Sequence, residues 1–362
     1  MLVIGGGPAG LAAAIAARRR GFDVTLADCS VPPIDKACGE GIMPDGLEAA
    51  RALGIPIEQV AAQPFRGIRF ADNGISVEAD FPGGRGLGVR RTALHELLVD
   101  RAAAEGVRLM WGCAVRGIDG DSVTIDNRTM HARWIVGADG CNSPTRRWAG
   151  LDAYEHNSHR FAFRSHYRVA PWSEFMEIHW SSRCQLYVTP VDPCEVCVVV
   201  ISRDQYLRME EALTLFPEVA RRLAAGPVSS RERGAVSVTR RLRAVADGRV
   251  ALVGDASGSV DAITGDGLCL LFQHASLLAS ALEAGNLRTY REAHRRLGRR
   301  PELMARLMLL LEDRHRLRRR AFRAMAARPA IFARMLAMHV GQLSVREFAT
   351  NGLELGWQLL TV

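Results

Sequence analysis

The run Gly5-Gly6-Gly7-Pro8-Ala9-Gly10 leaves this chain little freedom in what it can fold into. It follows an apolar stretch, Met1–Ile4, and opens an alanine-rich segment that ends at Gly21. That order is strand, glycine turn, helix. Gly5 permits the tight turn, Gly7 lets the backbone approach a pyrophosphate, and Gly10 lets helix and strand pack closely. Pro8 and Ala9 fall in the first helical turn, where free N–H groups and the positive dipole end favour phosphate. Phe22–Ala27 reads as the second strand. It ends at Asp28, 18 residues beyond Gly10, where a carboxylate can accept from a ribose. A negative charge there disfavours a 2′-phosphate, so the site suits FAD or NAD rather than NADP.

Two later motifs narrow the choice. Trp134–Ala138 runs into Asp139-Gly140, followed by Ser143 and Arg146. Arg249–Val253 runs into Gly254-Asp255-Ala256, followed by Thr264-Gly265-Asp266-Gly267. An acid at the carboxyl end of a strand can accept from ribitol or ribose hydroxyls. The helix expected over Leu268–Leu282 points its first amides, at Gly265 and Gly267, toward a developing anion such as the edge of a reduced flavin. Together the three motifs point to one elongated, non-covalently held FAD. A second nucleotide fingerprint is not evident. NAD(P)H is therefore expected as a transient donor, or a separate flavin reductase supplies the electrons.

With these motifs the chain resembles the FAD-dependent group that includes aromatic hydroxylases of the para-hydroxybenzoate hydroxylase fold, flavin halogenases and geranylgeranyl reductases. The resemblance covers about Met1 to Leu282. It carries Gly5, Gly7, Gly10, Asp28, Asp139, Gly140, Gly254 and Asp255 over as cofactor residues. Val89-Arg90-Arg91-Thr92-Ala93-Leu94 is similar to the group's Arg-x-x-Leu helix start, which implies Arg91 near the FAD phosphates and ribose. Val115 matches a strand position whose backbone meets adenine. Lys36-Ala37-Cys38-Gly39-Glu40-Gly41 and Val260–Gly265 look more like the geranylgeranyl-reductase branch. Asp261 and Ala262 stand where the hydroxylases usually carry proline. The halogenase Trp-x-Trp-x-Ile-Pro motif is not evident.

The resemblance implies an α/β fold. A Rossmann-like FAD-binding domain with a parallel sheet takes residues 1–60, 86–152 and 245–285. A mostly antiparallel substrate-binding sheet takes 61–85 and 153–244, and a helical segment takes 286–362. Short alternating runs over Arg160–Val169, Met176–Trp180, Cys184–Val188 and Glu195–Ile201 fit that sheet, and Asp72-Asn73-Gly74 reads as a hairpin turn. The activity implied is a monooxygenase hydroxylating an aromatic or polyketide-like small molecule, with oxygen passed on by the reduced flavin. Reduction of isoprenoid or other C=C bonds is the alternative, and halogenation a minor one. Candidate catalytic groups are Cys38, Glu40, His179 and Asp261. His179 is singled out because a histidine facing a flavin can act as base on a phenol.

Charge sets the remaining bounds. The 362 residues carry a net charge of +8. The excess belongs to one segment: from Arg288 to Arg334 fifteen arginines accompany four acids. Lys36 is the single lysine, so arginine abundance alone says little about phosphate, and no nucleic-acid partner is expected. The tail reads instead as amphipathic helices, with Pro301 and Pro329 as starts or breaks. Their basic face is either solvated or a peripheral dock on anionic membrane. The eight scattered cysteines fit a reducing, cytoplasmic setting. Cys194-Glu195-Val196-Cys197 lacks a second ligand pair and reads as strand packing rather than a metal site. Met1–Ala17 reads as the start of a nucleotide-binding unit rather than a leader.

Overall fold

The computed structural model describes residues 1–344. Its nucleotide-binding half is built on a six-stranded sheet. Val250–Leu252, Ile135–Gly137, Leu2–Ile4, Thr25–Asp28 and Arg108–Trp111 run parallel in that order, and Ala246–Asp247 adds an antiparallel edge. Leu2, Val3 and Ile4 are all buried, as expected for a parallel strand covered on both faces. The first strand sits mid-sheet, with its successor on one side and Ile135–Gly137 on the other. A crevice therefore opens at their carboxyl ends, where strand order reverses and ligands bind. The helix Pro8–Arg18 crosses between the first two strands and packs on the helices Arg91–Ala104 and Gly267–Glu283. Leu11, Ile15 and its run of alanines are sealed inside.

The second half is a seven-stranded sheet. Its order is Arg233–Leu242, Tyr154–Tyr167, Glu195–Ser202, Cys184–Asp192, Phe175–Trp180, Gly67–Asp72, Ile75–Asp80. All neighbours are antiparallel except Phe175–Trp180 beside Gly67–Asp72. The last two strands form the expected hairpin. Asn73 (φ 47°) and Gly74 (φ 82°) both adopt the left-handed backbone that a two-residue turn of this hand requires. Ala62–Phe65, in contrast, pairs with Gly86–Val89, which also pairs with Gly41–Ile42, in a small connecting sheet.

Both faces of the central strands Glu195–Ser202, Cys184–Asp192 and Phe175–Trp180 are buried, and the period of two divides them. Leu186, Val188, Val196, Val198 and Val200 meet the helices Met209–Leu213 and Pro217–Leu223. Tyr187, Val199, Ile201 and Met176 face the interdomain cavity.

Three helices, Leu287–Asp313, His315–Ala327 and Pro329–His339, close the far side. Positions 345–362 of the expected helical segment lie outside the described residues. Pro329 opens its helix at the first position, but Pro301 neither starts nor breaks one. It lies buried inside the 27-residue helix, where flanking turns supply enough hydrogen bonds to carry one missing donor. The inner faces bury Met304, Met308, Phe322, Met325, Phe332 and Met335 against the hairpin strand Ile75–Asp80 and its neighbours. Phe70 anchors this layer, with ring centroids 4.8 Å from Phe332 and 5.8 Å from Trp180. Arg318 does not join the expected basic face. It turns inward to Asp72 at 2.8 Å, both side chains being almost fully buried. Arg160 likewise pairs with Glu312 and tethers the long helix to the large sheet. No helix among the described residues is long and apolar enough to cross a membrane.

Candidate flavin and substrate site

A cavity of about 710 Å³ occupies the crevice and continues beneath the large sheet. The expected cofactor residues Gly5, Gly7, Pro8, Ala9, Asp28, Arg91, Val115, Asp139, Gly140, Gly254, Asp255, Gly265 and Gly267 all line it. Gly10 lies just behind. A Cβ there would fall 1.9 Å from the Gly5 carbonyl oxygen, so only glycine lets the helix sit this close to the turn. Gly5 itself has φ 112°, outside the range of ordinary side chains. At Gly7 a Cβ would meet nothing within 4 Å, so the space it leaves belongs to whatever fills the cavity. The helix has no side-chain cap and no acid in its first turn, which leaves its opening N–H groups for an anion.

Further groups complete this end. Asp28 fixes the turn, accepting from the Gly6 amide at 2.6 Å and the Ser30 amide at 2.7 Å. Asp139 is tied into its own loop, accepting from the Ser143 hydroxyl and from the Thr145 amide at 2.9 Å. Arg91 begins its helix as expected, with Leu94 buried behind it. Its Nε is buried without a partner among the described residues, a donor awaiting an acceptor. Lys36 reaches across to Asp255 at 3.1 Å, and that pairing raises its pKa. An elongated dinucleotide with a pyrophosphate fits this donor set.

The other end is apolar. Ala162, Met176, Tyr187, Val199 and Ile201 form its wall, and Tyr187 donates to the Ile263 carbonyl at 2.6 Å. Asp261 lies here but is committed. It accepts from the Ile263 amide at 3.0 Å, from Arg160 at 3.4 Å and from Thr239 at 3.2 Å. Asp266 turns to His339 at 3.5 Å, and burial raises its pKa. Cys38 also lines the cavity, its Sγ accepting from the Glu40 amide at 3.4 Å.

Glu40 is the centre of a buried network. Its carboxylate accepts from the Arg91 amide at 2.9 Å and faces Arg164 at 3.5 Å and His166 at 2.7 Å. Arg164 also grips Asp35 with two bonds of 2.7 and 2.9 Å. A guanidinium can only donate, so His166 Nδ1 accepts from Arg164 at 3.1 Å and its Nε2–H donates to Glu40. Cys197 completes a cluster in which Glu40, His166 and Cys197 present possible ligand atoms within 4.8 Å of one another. Arg164 already supplies the positive charge there, and a divalent ion would have to displace it. Cys194 sits exposed in a turn, away from Cys197 in its strand.

His179 is a correction. Side chains alternate along Phe175–Trp180, and Met176 lines the cavity, so Ile178 and Trp180 share its side and His179 faces away. It bonds Glu177 at 2.9 Å and packs edge-on to Phe216. Burial would raise the Glu177 pKa. His179, Trp172 and Arg69 outweigh this and hold it below the usual range. The sequence reading passed over His95, Arg160, Arg164 and His166. His95 ties the Arg91 helix to the glycine turn, with Nε2 2.8 Å from the Gly6 carbonyl and Nδ1 accepting from the Ile34 amide. Arg160, Arg164 and His166 alternate on one strand, a period-two row of basic residues in an apolar run, and that is the available signal.

This fold and cavity define a flavoprotein oxidoreductase. A family model described as an FAD binding domain matches residues 1–293, and the chain belongs to that family. It is 26% identical over 314 residues to a menaquinone reductase of Mycobacterium tuberculosis, covering 79% of this chain and 77% of that one. Among solved structures it is similar to a flavoprotein/dehydrogenase from Cytophaga hutchinsonii, with a TM-score of 0.81, 19% identity and coverage of 94% and 92%. It is also similar to PqsL, a probable FAD-dependent monooxygenase from Pseudomonas aeruginosa, with a TM-score of 0.70, 21% identity and coverage of 87% and 97%.

Proposed function

We propose that this FAD-dependent oxidoreductase is a monooxygenase that hydroxylates an aromatic head group carrying an apolar tail. In this reading the Gly5–Gly10 turn and the helix it opens hold the pyrophosphate, and Asp28, Arg91 and Val115 hold the adenosine end. Asp139, Gly140, Gly254 and Asp255 meet the ribitol, and Gly265 and Gly267 face the ring. Bound FAD supplies the redox chemistry, taking two electrons from NAD(P)H or a separate reductase and passing one oxygen atom of O₂ to substrate while the other leaves as water. The chain's part is positioning and exclusion of water.

The supporting observation is the apolar end of the cavity, where Glu40 and Asp261 are turned into partners and Asp266 faces His339. Oxygen transfer to an electron-rich ring asks for a dry, apolar chamber. Reducing an isolated C=C bond also asks for an acid aimed at carbon; Glu40 and Asp261 are engaged elsewhere, and of the three only Asp266 keeps a buried oxygen without a partner among the described residues. A tail has room to continue: a small apolar void of about 30 Å³, lined by Met304, Met308 and Met335 among others, shares Thr264 with the main cavity. Methionine linings adapt readily to a chain.

The similarity to a menaquinone reductase favours C=C reduction as a second reading. The two separate under anaerobic turnover. With pre-reduced enzyme and alkylphenol or polyprenol substrates, hydroxylation stops without O₂ and resumes in ¹⁸O₂ with one labelled atom per product. Anaerobic product heavier by two hydrogens would instead establish the reductase.

A further inference from the structure

We infer that the outward faces of the helices Leu287–Asp313 and His315–Ala327 are a docking surface for an anionic lipid bilayer. The inference rests on the reading that the substrate carries an apolar tail. In the first helix Arg288, Arg291, Arg295, Arg299 and Arg306 recur at spacings of three, four and seven, so they form one exposed stripe along about 27 Å. Between Arg288 and Arg306 Glu292 is the one exposed acid, and Leu310, 46% exposed, extends the row. In the second helix Arg316, Arg319, Arg320 and Arg323 share the outer face, while Arg318, Phe322 and Met325 share the inner one.

These nine outward arginines are set apart by their clustering. Arg183, Arg221, Arg222 and Arg241 are exposed with an acid within ion-pair distance. Exposed arginines such as Arg85, Arg128 and Arg231 have none among the described residues but lie on separate elements, whereas the nine are gathered on two helices in contact. Among the described residues none of the nine has such an acid. Unneutralised guanidinium groups in this number repel one another, so their placement favours a polyanion.

The inner side indicates which polyanion. The long helix also walls a methionine-lined void next to the flavin cavity with Met304 and Met308, and the helix Pro329–His339 supplies Met335 to the same void. One layer thus presents cations outward and an adaptable apolar lining inward. A bilayer offers both phosphate headgroups and the tailed molecule. Nucleic acid would match only the outer half.

Sedimentation of the FAD-loaded full chain with vesicles tests this. Vesicles of 70% phosphatidylcholine and 30% phosphatidylglycerol should bind it, pure phosphatidylcholine should not, and 0.5 M NaCl should release it. Each basic residue near such a surface contributes roughly fivefold, so R316Q/R319Q/R320Q/R323Q should weaken partitioning by roughly 100-fold or more. Flavin content and turnover of a short, water-soluble substrate should stay at parental levels in that variant, since these side chains touch neither the cavity nor its walls. Equal binding to neutral vesicles, parental binding by the variant, or binding to RNA without binding to anionic vesicles would each overturn the proposal. Loss of short-substrate turnover in the parent would count against the monooxygenase reading alone.

Discussion

Gly10→Val should give a protein that purifies colourless and binds added FAD at least 100-fold more weakly than the parent. The first side-chain carbon would fall 1.9 Å from the Gly5 carbonyl oxygen and 3.1 Å from Ala138 Cβ. The first of these is backbone, so it cannot swing aside as a flexible side chain would. Either the helix backs away or the turn opens, and both displace the N–H groups assigned to the pyrophosphate. A 100-fold loss corresponds to about 2.7 kcal/mol, modest for a disrupted phosphate cradle. Gly7→Ala separates ligand from fold. Its Cβ meets nothing within 4 Å, so it should melt like the parent when both are free of FAD and still bind FAD less well. Flavin fluorescence quenching reads both variants. Parental FAD affinity in Gly10→Val would show that the cofactor does not lie against this turn.

Arg164→Met should lower stability by roughly 3–5 kcal/mol, the usual cost of leaving one partner of a buried ion pair alone. Arg164 is 2% exposed in its side chain, Glu40 0% and Asp35 22%, so Glu40 would lose its cation without gaining water. For a chain of this length that is a fall in Tm of roughly 4–7 °C. Adding Glu40→Gln to Arg164→Met should recover much of the loss, because it removes the stranded charge, keeps an oxygen to accept from the Arg91 amide, and lets the amide NH2 donate to His166 Nε2 once the ring, freed of Arg164, takes its other tautomer. Thermal melts of the single and double variants check this. A single variant within 1 kcal/mol of the parent would mean that the network carries little energy.

How much was legible in the sequence follows from which interactions are local. The glycine turn, Asp28, Asp139-Gly140 and Gly254-Asp255 each sit at the end of a short apolar strand, and parallel pairing of those strands brings them together. Backbone geometry and sequence spacing nearly determine that outcome, and the hairpin at Asn73-Gly74 is determined the same way. Networks between domains are different. Arg164 meets Asp35 and Glu40 across more than 120 positions, and Arg318 meets Asp72 across 246. Arg164 at least stands in a period-two row within an apolar run, but no local pattern distinguishes Arg318 from the solvated arginines around it, and so it reads as part of a basic face. His179 failed for a narrower reason. Period-two alternation says which residues share a face, but only packing says which face looks into the cavity. Pro301 shows the same limit: a proline signal is a statement about one hydrogen bond, and a long packed helix can do without it.

The most direct test is to titrate the purified, cofactor-stripped chain with FAD and follow flavin absorbance and fluorescence to saturation. Binding of one FAD per chain with submicromolar affinity, released intact by heat or acid, is the expected result. A folded preparation that leaves added FAD unbound and its fluorescence unchanged would contradict the assignment of this cavity.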